Sequence, residues 1–332
     1  MKLTRKITVT RRAIQIVSFI ILMYGAFIWP IHIETPLGKI PGGTPRTTQY
    51  QRDRILWVSG KESVIDFYVP FLSCRFTARG GFFKSCSVHF FSENFTWRTS
   101  LKLMMPHILI LILLMVLAGR FWCGWMCPLG AIMDFMTWLR RLAGWPRRHL
   151  SPAWQRFLTN CGHVVLWVCI AVSILISFPF LGTGANDSLF LLYCQFCPAR
   201  LIYPILGGVN PCWYDKTTTI TWILSLCGWT TLTLFFLGFV LPRFWCRVCA
   251  IGILSGYFNR GSLLSLDKKA RACTSCGTCA RNCPVDIEAV YRDRRGNIVT
   301  DPRCQLCLQC LEDCPEEGCL ELKFLGKRII SS

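Results

Sequence analysis

Acidic residues are scarce in this chain. Its 332 residues hold 18 Asp and Glu against 37 Lys and Arg, a formal net charge of +19. Charge of either sign is thin, at 17% against 52% hydrophobic residues, and mean hydropathy is +0.40. These shortages exclude a short, acidic, water-soluble protein and point to a membrane. The basic excess does not signal nucleic acid, because Lys and Arg sit beside apolar spans rather than along one amphipathic face. A small-residue cleavage site is also missing after the first apolar span, 13–31. That span is therefore expected to remain as a membrane helix rather than act as a signal peptide, with Trp29 and Pro30 in an interfacial anchor.

Cysteine, by contrast, is abundant, with 21 residues. Eight of them form two runs of one spacing, C-x2-C-x2-C-x3-C-P: Cys273, Cys276, Cys279 and Cys283 before Pro284, then Cys304, Cys307, Cys310 and Cys314 before Pro315. This is the spacing of two [4Fe–4S] clusters in a bacterial ferredoxin, in which the fourth Cys of each run crosses to the other cluster. Cluster A is thus expected on Cys273, Cys276, Cys279 and Cys314, and cluster B on Cys304, Cys307, Cys310 and Cys283. A disulfide framework would not repeat one spacing twice, and zinc sites use Cys pairs rather than triplets with a distant fourth. Between the runs, 290–300 reads as a hairpin with its turn near Gly296 and Asn297.

Three further apolar spans follow the first, at about 101–119, 161–181 and 220–241. Arg140, Arg141, Arg147, Arg148 and Arg156 make the segment after the second span the most basic short loop, which assigns it to the cytoplasm. Four spans then leave both termini cytoplasmic. The expected organisation is a stub and first helix over 1–32, an extracytoplasmic loop over 33–100, a membrane domain over 101–259 and a cytoplasmic ferredoxin domain over 260–332. The fold class is a four-helix membrane bundle with a C-terminal α+β domain of the bacterial two-cluster ferredoxin type. Pro204, Gly207, Gly208 and Pro211 make 189–211 a broken or re-entrant segment rather than a clean span.

An internal repeat sits at the inner ends of the second and fourth spans. Arg120-Phe121-Trp122-Cys123 and Arg243-Phe244-Trp245-Cys246 match over four residues, and each is followed by a second Cys, Cys127 or Cys249. The spacings differ by one residue, and Ala250 stands where the first copy has Pro128. Four thiolates from Cys123, Cys127, Cys246 and Cys249 could hold a third [4Fe–4S] cluster at the inner interface; interfacial cysteines without metal are the plainer alternative. On the outer side Cys74, Cys86, Cys194 and Cys197 could hold a fourth, with Cys212 in reserve, or form two disulfides. Zinc is a lesser alternative for either set. Cys161, Cys169 and Cys227 read as packing residues within spans, and Cys319 has no assigned role. His107 and His163 are intramembrane candidates for quinone or haem contact, although such a His is more often hydrogen-bonded within a bundle. Asp134 could handle protons near a quinone, but a helix-surface carboxylate is the simpler reading.

These residues carry a resemblance. The spans, the Cys123-x3-Cys127-Pro128 motif, its second copy at Cys246 and the twin-cluster end resemble the NapH-like membrane iron–sulfur proteins and the related membrane parts of NosR- and CcoG-type proteins, over roughly 101–322. The resemblance implies an electron conduit, linked to quinol or ferredoxin, that serves an extracytoplasmic reductase or maturation system. The expected protein is multi-pass in the cytoplasmic membrane, passes electrons between a cytoplasmic or quinol donor and an extracytoplasmic redox partner, and is part of a multi-subunit complex. The family pattern has C-x3-C-P at both motifs, so Cys246-x2-Cys249 departs from it, as does Cys194-x2-Cys197-Pro198. No flavin-binding domain of the NosR type is visible. The alternative function is a membrane anchor or assembly subunit, serving metal reduction or maturation, whose only clusters are the two of the ferredoxin domain. A quinol dehydrogenase with its site between the second and third spans is a third reading.

Overall fold

The apolar runs form helices. The computed structural model describes residues 6–28, 33–34, 65–71, 74, 83–94, 101–177, 192–207, 219–292, 295–297 and 301–332. The first helix, α1, is Lys6–Ile28. A small parallel sheet follows, in the order β1 (Ile33–Glu34), β2 (Ile65–Phe71), β3 (Phe83–Cys86). Next come α2 (Ser87–Asn94), α3 (Leu101–Ala118), α4 (Phe121–Trp125), α5 (Pro128–Leu142) and α6 (Pro152–Ser177). The segment expected to be broken is two short helices, α7 (Leu192–Phe196) and α8 (Ala199–Leu206), interrupted at Cys197-Pro198. The last two helices before the C-terminal region are α9 (Thr219–Phe236) and α10 (Ala250–Tyr257).

Four apolar helices thus lie where four spans were expected. Two are long and apolar enough to cross a membrane, over Lys6–Gly25 and Pro152–Leu175. The others have shorter apolar stretches, Met104–Ala118 and Ser225–Phe239. The first helix begins seven residues before the expected start at residue 13. Arg11 and Arg12, just before that start, are helical, and Arg11 is buried. The reason is a buried carboxylate described below, which gives these cations a partner inside the protein.

The C-terminal region is α+β. Its sheet runs β5-β4-β6-β7, all antiparallel, from β4 (Leu264–Lys269), β5 (Arg295–Asn297), β6 (Leu320–Phe324) and β7 (Lys327–Ser331). Three single-turn helices, α11 (Thr278–Arg281), α12 (Ala289–Arg292) and α13 (Gln309–Glu312), complete it. Along β4, Leu264, Leu266 and Lys268 alternate inward, as a half-buried strand requires. The described residues of 290–300 do not form the expected hairpin. Gly296 and Asn297 lie in β5, paired with Lys268 and Asp267, and residues 289–292 are helical. A long-range strand partner overrode the local Gly-Asn turn signal.

The chain divides into two compact units that do not follow the chain-order boundaries. One holds Met1–Val17, Ile112–His163 and Gly238–Ser332; the other holds Ser18–Leu111 and Val164–Leu237. In the first unit α5 buries polar groups beside Leu129, Met133 and Met136 and leaves large apolar side chains exposed. Asp134, Thr137 and Arg140 are buried, while Phe135, Trp138 and Leu142 are 54%, 49% and 66% exposed. Exposed Phe, Trp and Leu on one helix suit an apolar surrounding better than water.

At the end of α3 the chain turns through Gly119, whose φ is +51°. A Cβ there would meet Asn259 Oδ1 at 2.5 Å. Gly119→Ala is expected to destabilise the first unit by about 1–2 kcal/mol from the left-handed conformation alone, read as a lower unfolding midpoint. An unchanged midpoint would show that the turn tolerates a side chain.

Candidate metal centres

The two repeat copies end in the same local geometry. Cys123 lies in α4, and Cys127 caps the N-terminus of α5 with φ −65° and ψ 122°. In the second copy Cys246 lies in a 3-10 turn, Trp245–Arg247, and Cys249 caps α10 with φ −64° and ψ 120°. The one-residue difference is absorbed by a five-residue helix in one copy and a three-residue turn in the other. Pro128 occupies the first helical position, where a missing N–H leaves no bond unmade; Ala250 takes the same place, so losing the Pro does not change the cap.

The four thiols of this set reach one another. Cys127 is within electrostatic range of Cys123, Cys246 and Cys249, and Cys123 and Cys246 are each in range of Cys249. Burial raises the Cys127 thiol and pushes Cys246 up to about 11, with Arg243 and Arg120 pulling the other way. Buried thiols facing one another hold their protons unless a cationic centre takes the thiolates, and a cluster bound by four thiolates fits that donor set.

Arginines frame this set reciprocally. Arg120, from the first copy, donates to the Cys246 carbonyl of the second and, at 2.9 Å, to that of Pro302. Arg243, from the second copy, donates at 3.2 Å to the Gly124 carbonyl of the first and also to the Gln305 side chain. Arg120, Arg243 and Arg247 are each no more than 1% exposed. Each needs internal acceptors, since a buried unpaired guanidinium is costly.

For Arg243 the partner is Asp134, at 2.6 and 2.9 Å. Arg11, Arg12 and the Gln15 amide also converge on that carboxylate, at 3.7, 3.1 and 2.9 Å. Asp134 is therefore not a surface carboxylate, as its helical position had implied: it is 4% exposed. Burial alone would raise its carboxyl, but Arg243, Arg11 and Arg12 outweigh burial and hold it well below the ordinary range. A second node repeats the device. Asp286 binds Arg247 at 2.7 Å and Arg147 at 2.9 Å, and both arginines donate to carbonyls of the 281–285 segment around Cys283.

In the C-terminal region the sulfurs group across the two runs. Cys304 and Cys310 lie in range of Cys307 and Cys283, and Cys283 is itself in range of Cys307, burial pushing its thiol up to about 11. Separately, Cys273, Cys276, Cys279 and Cys314 line one hollow. Cys319, without a role in the sequence reading, lines the same hollow beside Cys273 and Cys314. Among the described residues no three or more His, Cys, Asp or Glu converge at the spacing of a single ion. Zinc would draw its sulfurs to about 2.3 Å, whereas the corners of a four-iron cage hold them farther apart.

The Cys123 and Cys304 loops touch through their backbones. A Cβ on Gly124 would overlap the Gln305 carbonyl oxygen. Trp125 donates to the Leu306 carbonyl at 2.9 Å, and Asn259 to that of Cys304, also at 2.9 Å. Arg11 donates to the Cys307 carbonyl at 3.2 Å. The set expected to hold cluster B therefore adjoins the repeat cysteines. Asn259, Gln305 and the buried arginines escaped the sequence reading; the available signal was Arg at the head of both repeat copies.

In the second unit Cys194 lies in range of Cys86, Cys74 and Cys197. Cys86 is also in range of Cys169, read from sequence as packing only. Cys212 lies outside the described residues, as does the 29–32 anchor. The two histidines belong to different units. His107 stacks on Phe90 at 5.5 Å, and His163 Nδ1 meets the Thr159 carbonyl at 2.7 Å, with its ring edge-on to Tyr257.

A family model described as a 4Fe-4S binding domain matches residues 107–146 and 220–270, covering both Cys pairs. A 4Fe-4S dicluster domain matches residues 265–315. These matches and the relatives below fit a NapH-like family of ferredoxin-type iron–sulfur proteins. It is 25% identical over 214 residues to the ferredoxin-type protein NapH of Escherichia coli, covering 63% of this chain and 64% of that protein. It is 29% identical over 179 residues to the methylamine utilization ferredoxin-type protein MauN of Methylorubrum extorquens, covering 53% and 51%. An uncharacterized protein of Methanocaldococcus jannaschii is 27% identical over 222 residues, covering 66% and 70%. No solved structure matches the chain. As a NapH-like protein with two kinds of 4Fe-4S domain, it is an iron–sulfur electron-transfer protein.

Two predictions follow from the Asp134 node. Asp134→Asn leaves Arg243 buried without its counter-charge and should cost about 3–5 kcal/mol; Asp134→Leu with Arg243→Met should regain much of that loss, both read by chemical unfolding. A depressed carboxyl contributes stability that is present above its unfolded value near 4 and is lost only as pH falls through the lower folded value. The Asp134→Asn deficit should therefore be equal at pH 7 and pH 5, and a deficit that shrinks at pH 5 would contradict the depressed carboxyl.

Proposed function

We propose that the protein is a multi-pass redox conduit of the cytoplasmic membrane, with both termini cytoplasmic. It passes electrons between a cytoplasmic or quinol donor and an extracytoplasmic redox partner. The carrying observation is the backbone contact between Cys123-Gly124 and Cys304-Gln305, because electron tunnelling weakens steeply with distance and this contact sets two candidate ligand sets side by side. Cluster A is assigned to Cys273, Cys276, Cys279 and Cys314, and cluster B to Cys304, Cys307, Cys310 and Cys283. Cys123, Cys127, Cys246 and Cys249 take a third, and Cys74, Cys86, Cys194 and Cys197 a fourth. When bound, such clusters supply one-electron storage at potentials tuned by hydrogen bonds and burial.

The chain's own residues do the rest. Arg120 and Arg243 lock the two repeat copies together and place positive charge beside the Cys123–Cys249 set. Arg247 and Arg147, through Asp286, hold the Cys283 segment, so a ligand expected to cross between runs is fixed by the membrane-proximal motif. Support for the membrane comes from the four apolar helices and the outward apolar face of α5. The kinship to NosR- and CcoG-type proteins rests on the motif resemblance alone.

Iron and sulfide counts with EPR of the reduced full-length protein test the reading. About sixteen irons per chain, four per cluster, are expected. Cys246→Ser/Cys249→Ser should remove about four and one EPR component, leaving the ferredoxin signals. About eight irons in the wild type, unchanged in that variant, would leave only the ferredoxin clusters and favour an anchor or assembly subunit.

A further inference from the structure

A cavity of about 40 Å3 opens where the first turns of α1, the C-terminal half of α5 and the 282–284 segment meet. It has room for about three waters or one small oxyanion group. Arg11, Arg12, Arg140, Arg141 and Arg147 line it, and Asp134 is its one acid. That carboxylate is already committed to Arg243, Arg11 and Arg12, and Arg147 is committed to Asp286. Arg140 is left over. It is 2% exposed, gives one hydrogen bond, to the Val240 carbonyl at 3.0 Å, and its Nε has no partner. The charges that reach it are two more guanidiniums, Arg141 and Arg147, which together with burial lower its pKa. A buried cation flanked by cations is unfavourable without an anion to offset it.

We propose that this cavity binds a phosphate group, with Arg140 and Arg141 as its principal donors. Guanidinium forks match phosphate oxygens in geometry and charge. Two sources carry that chemistry, an anionic lipid headgroup and soluble phosphate. The lipid fits the surroundings, because the same helix turns Trp138 and Leu142 outward, and Trp145 just beyond it is 58% exposed. Acyl chains would lie along that face while the headgroup entered the cavity, as basic pockets at the cytoplasmic side of membrane helices allow. The site is independent of how many clusters the protein holds.

The test uses the purified full-length protein in a neutral detergent, with the unfolding midpoint followed against added phosphatidylglycerol, phosphatidylcholine or inorganic phosphate. Phosphatidylglycerol should raise the midpoint saturably and phosphatidylcholine should not, which assigns a lipid headgroup. A rise with inorganic phosphate at comparable concentration assigns soluble phosphate instead; both support the site. Arg140→Gln should weaken the effective probe by about tenfold or more. Should that variant fail to fold, Arg141→Gln, on the exposed side, decides, with the same expected weakening. No rise with phosphatidylglycerol or phosphate, or a rise of unchanged affinity in the folded Arg140→Gln or Arg141→Gln protein, overturns the proposal.

Discussion

Asp134 and Arg243 are the pair on which the first unit depends. Neither charge is stable alone where it sits, since both are almost completely buried. Their pairing draws three distant stretches of chain to one point. Arg11, Arg12 and Gln15 come from the first helix, Asp134 from α5, and Arg243 from the second repeat copy, which also reaches Gly124 and Gln305. The pair therefore does more than neutralise itself. It holds the backbone around two sets of cysteines in a position where their sulfurs can face a common centre.

The reciprocal use of arginine follows from duplication. Two copies of one helix-plus-cysteine unit face each other, and the arginine heading each copy bonds the backbone of its counterpart. Neither copy could satisfy its own arginine, so the motif is complete only when doubled. The ferredoxin-type region enters the same network through Pro302, Gln305 and the Cys283 segment. Its attachment combines guanidinium-to-carbonyl bonds with a shared apolar core, in which Ile7, Ala118 and Trp125 pack with Leu266, Leu306 and Leu308. Such bonds fix orientation closely because donor and acceptor directions are both constrained.

The distribution of polarity across α5 reinforces this picture. Arg140 and Asp134 are buried beside Leu129, Met133 and Met136, while Phe135, Trp138 and Leu142 are exposed, an arrangement suited to apolar surroundings. Two buried carboxylates, Asp134 and Asp286, each take two or more arginines, which offsets part of the repulsion among them.

Cysteine spacing and apolar run length were legible in the residue order, because both are local. Iron–sulfur motifs repeat over a dozen residues, and a helix long enough to matter in a bilayer shows itself as an unbroken apolar stretch; the four apolar helices and the family both followed from such signals. The hairpin misread at Gly296 shows the limit of local reasoning, since β5 takes its register from β4, a strand nearly thirty residues earlier. The burial of Asp134 was decided by tertiary structure alone. Its partners Gln15 and Arg243 are 119 and 109 positions away, and no periodicity on α5 marks a face as interior when the exterior is apolar too. Which thiols meet, which arginine bonds which carbonyl, and which guanidinium is left without an anion are all consequences of packing between remote segments, where the energy of desolvating a charge depends on neighbours that chain order does not name.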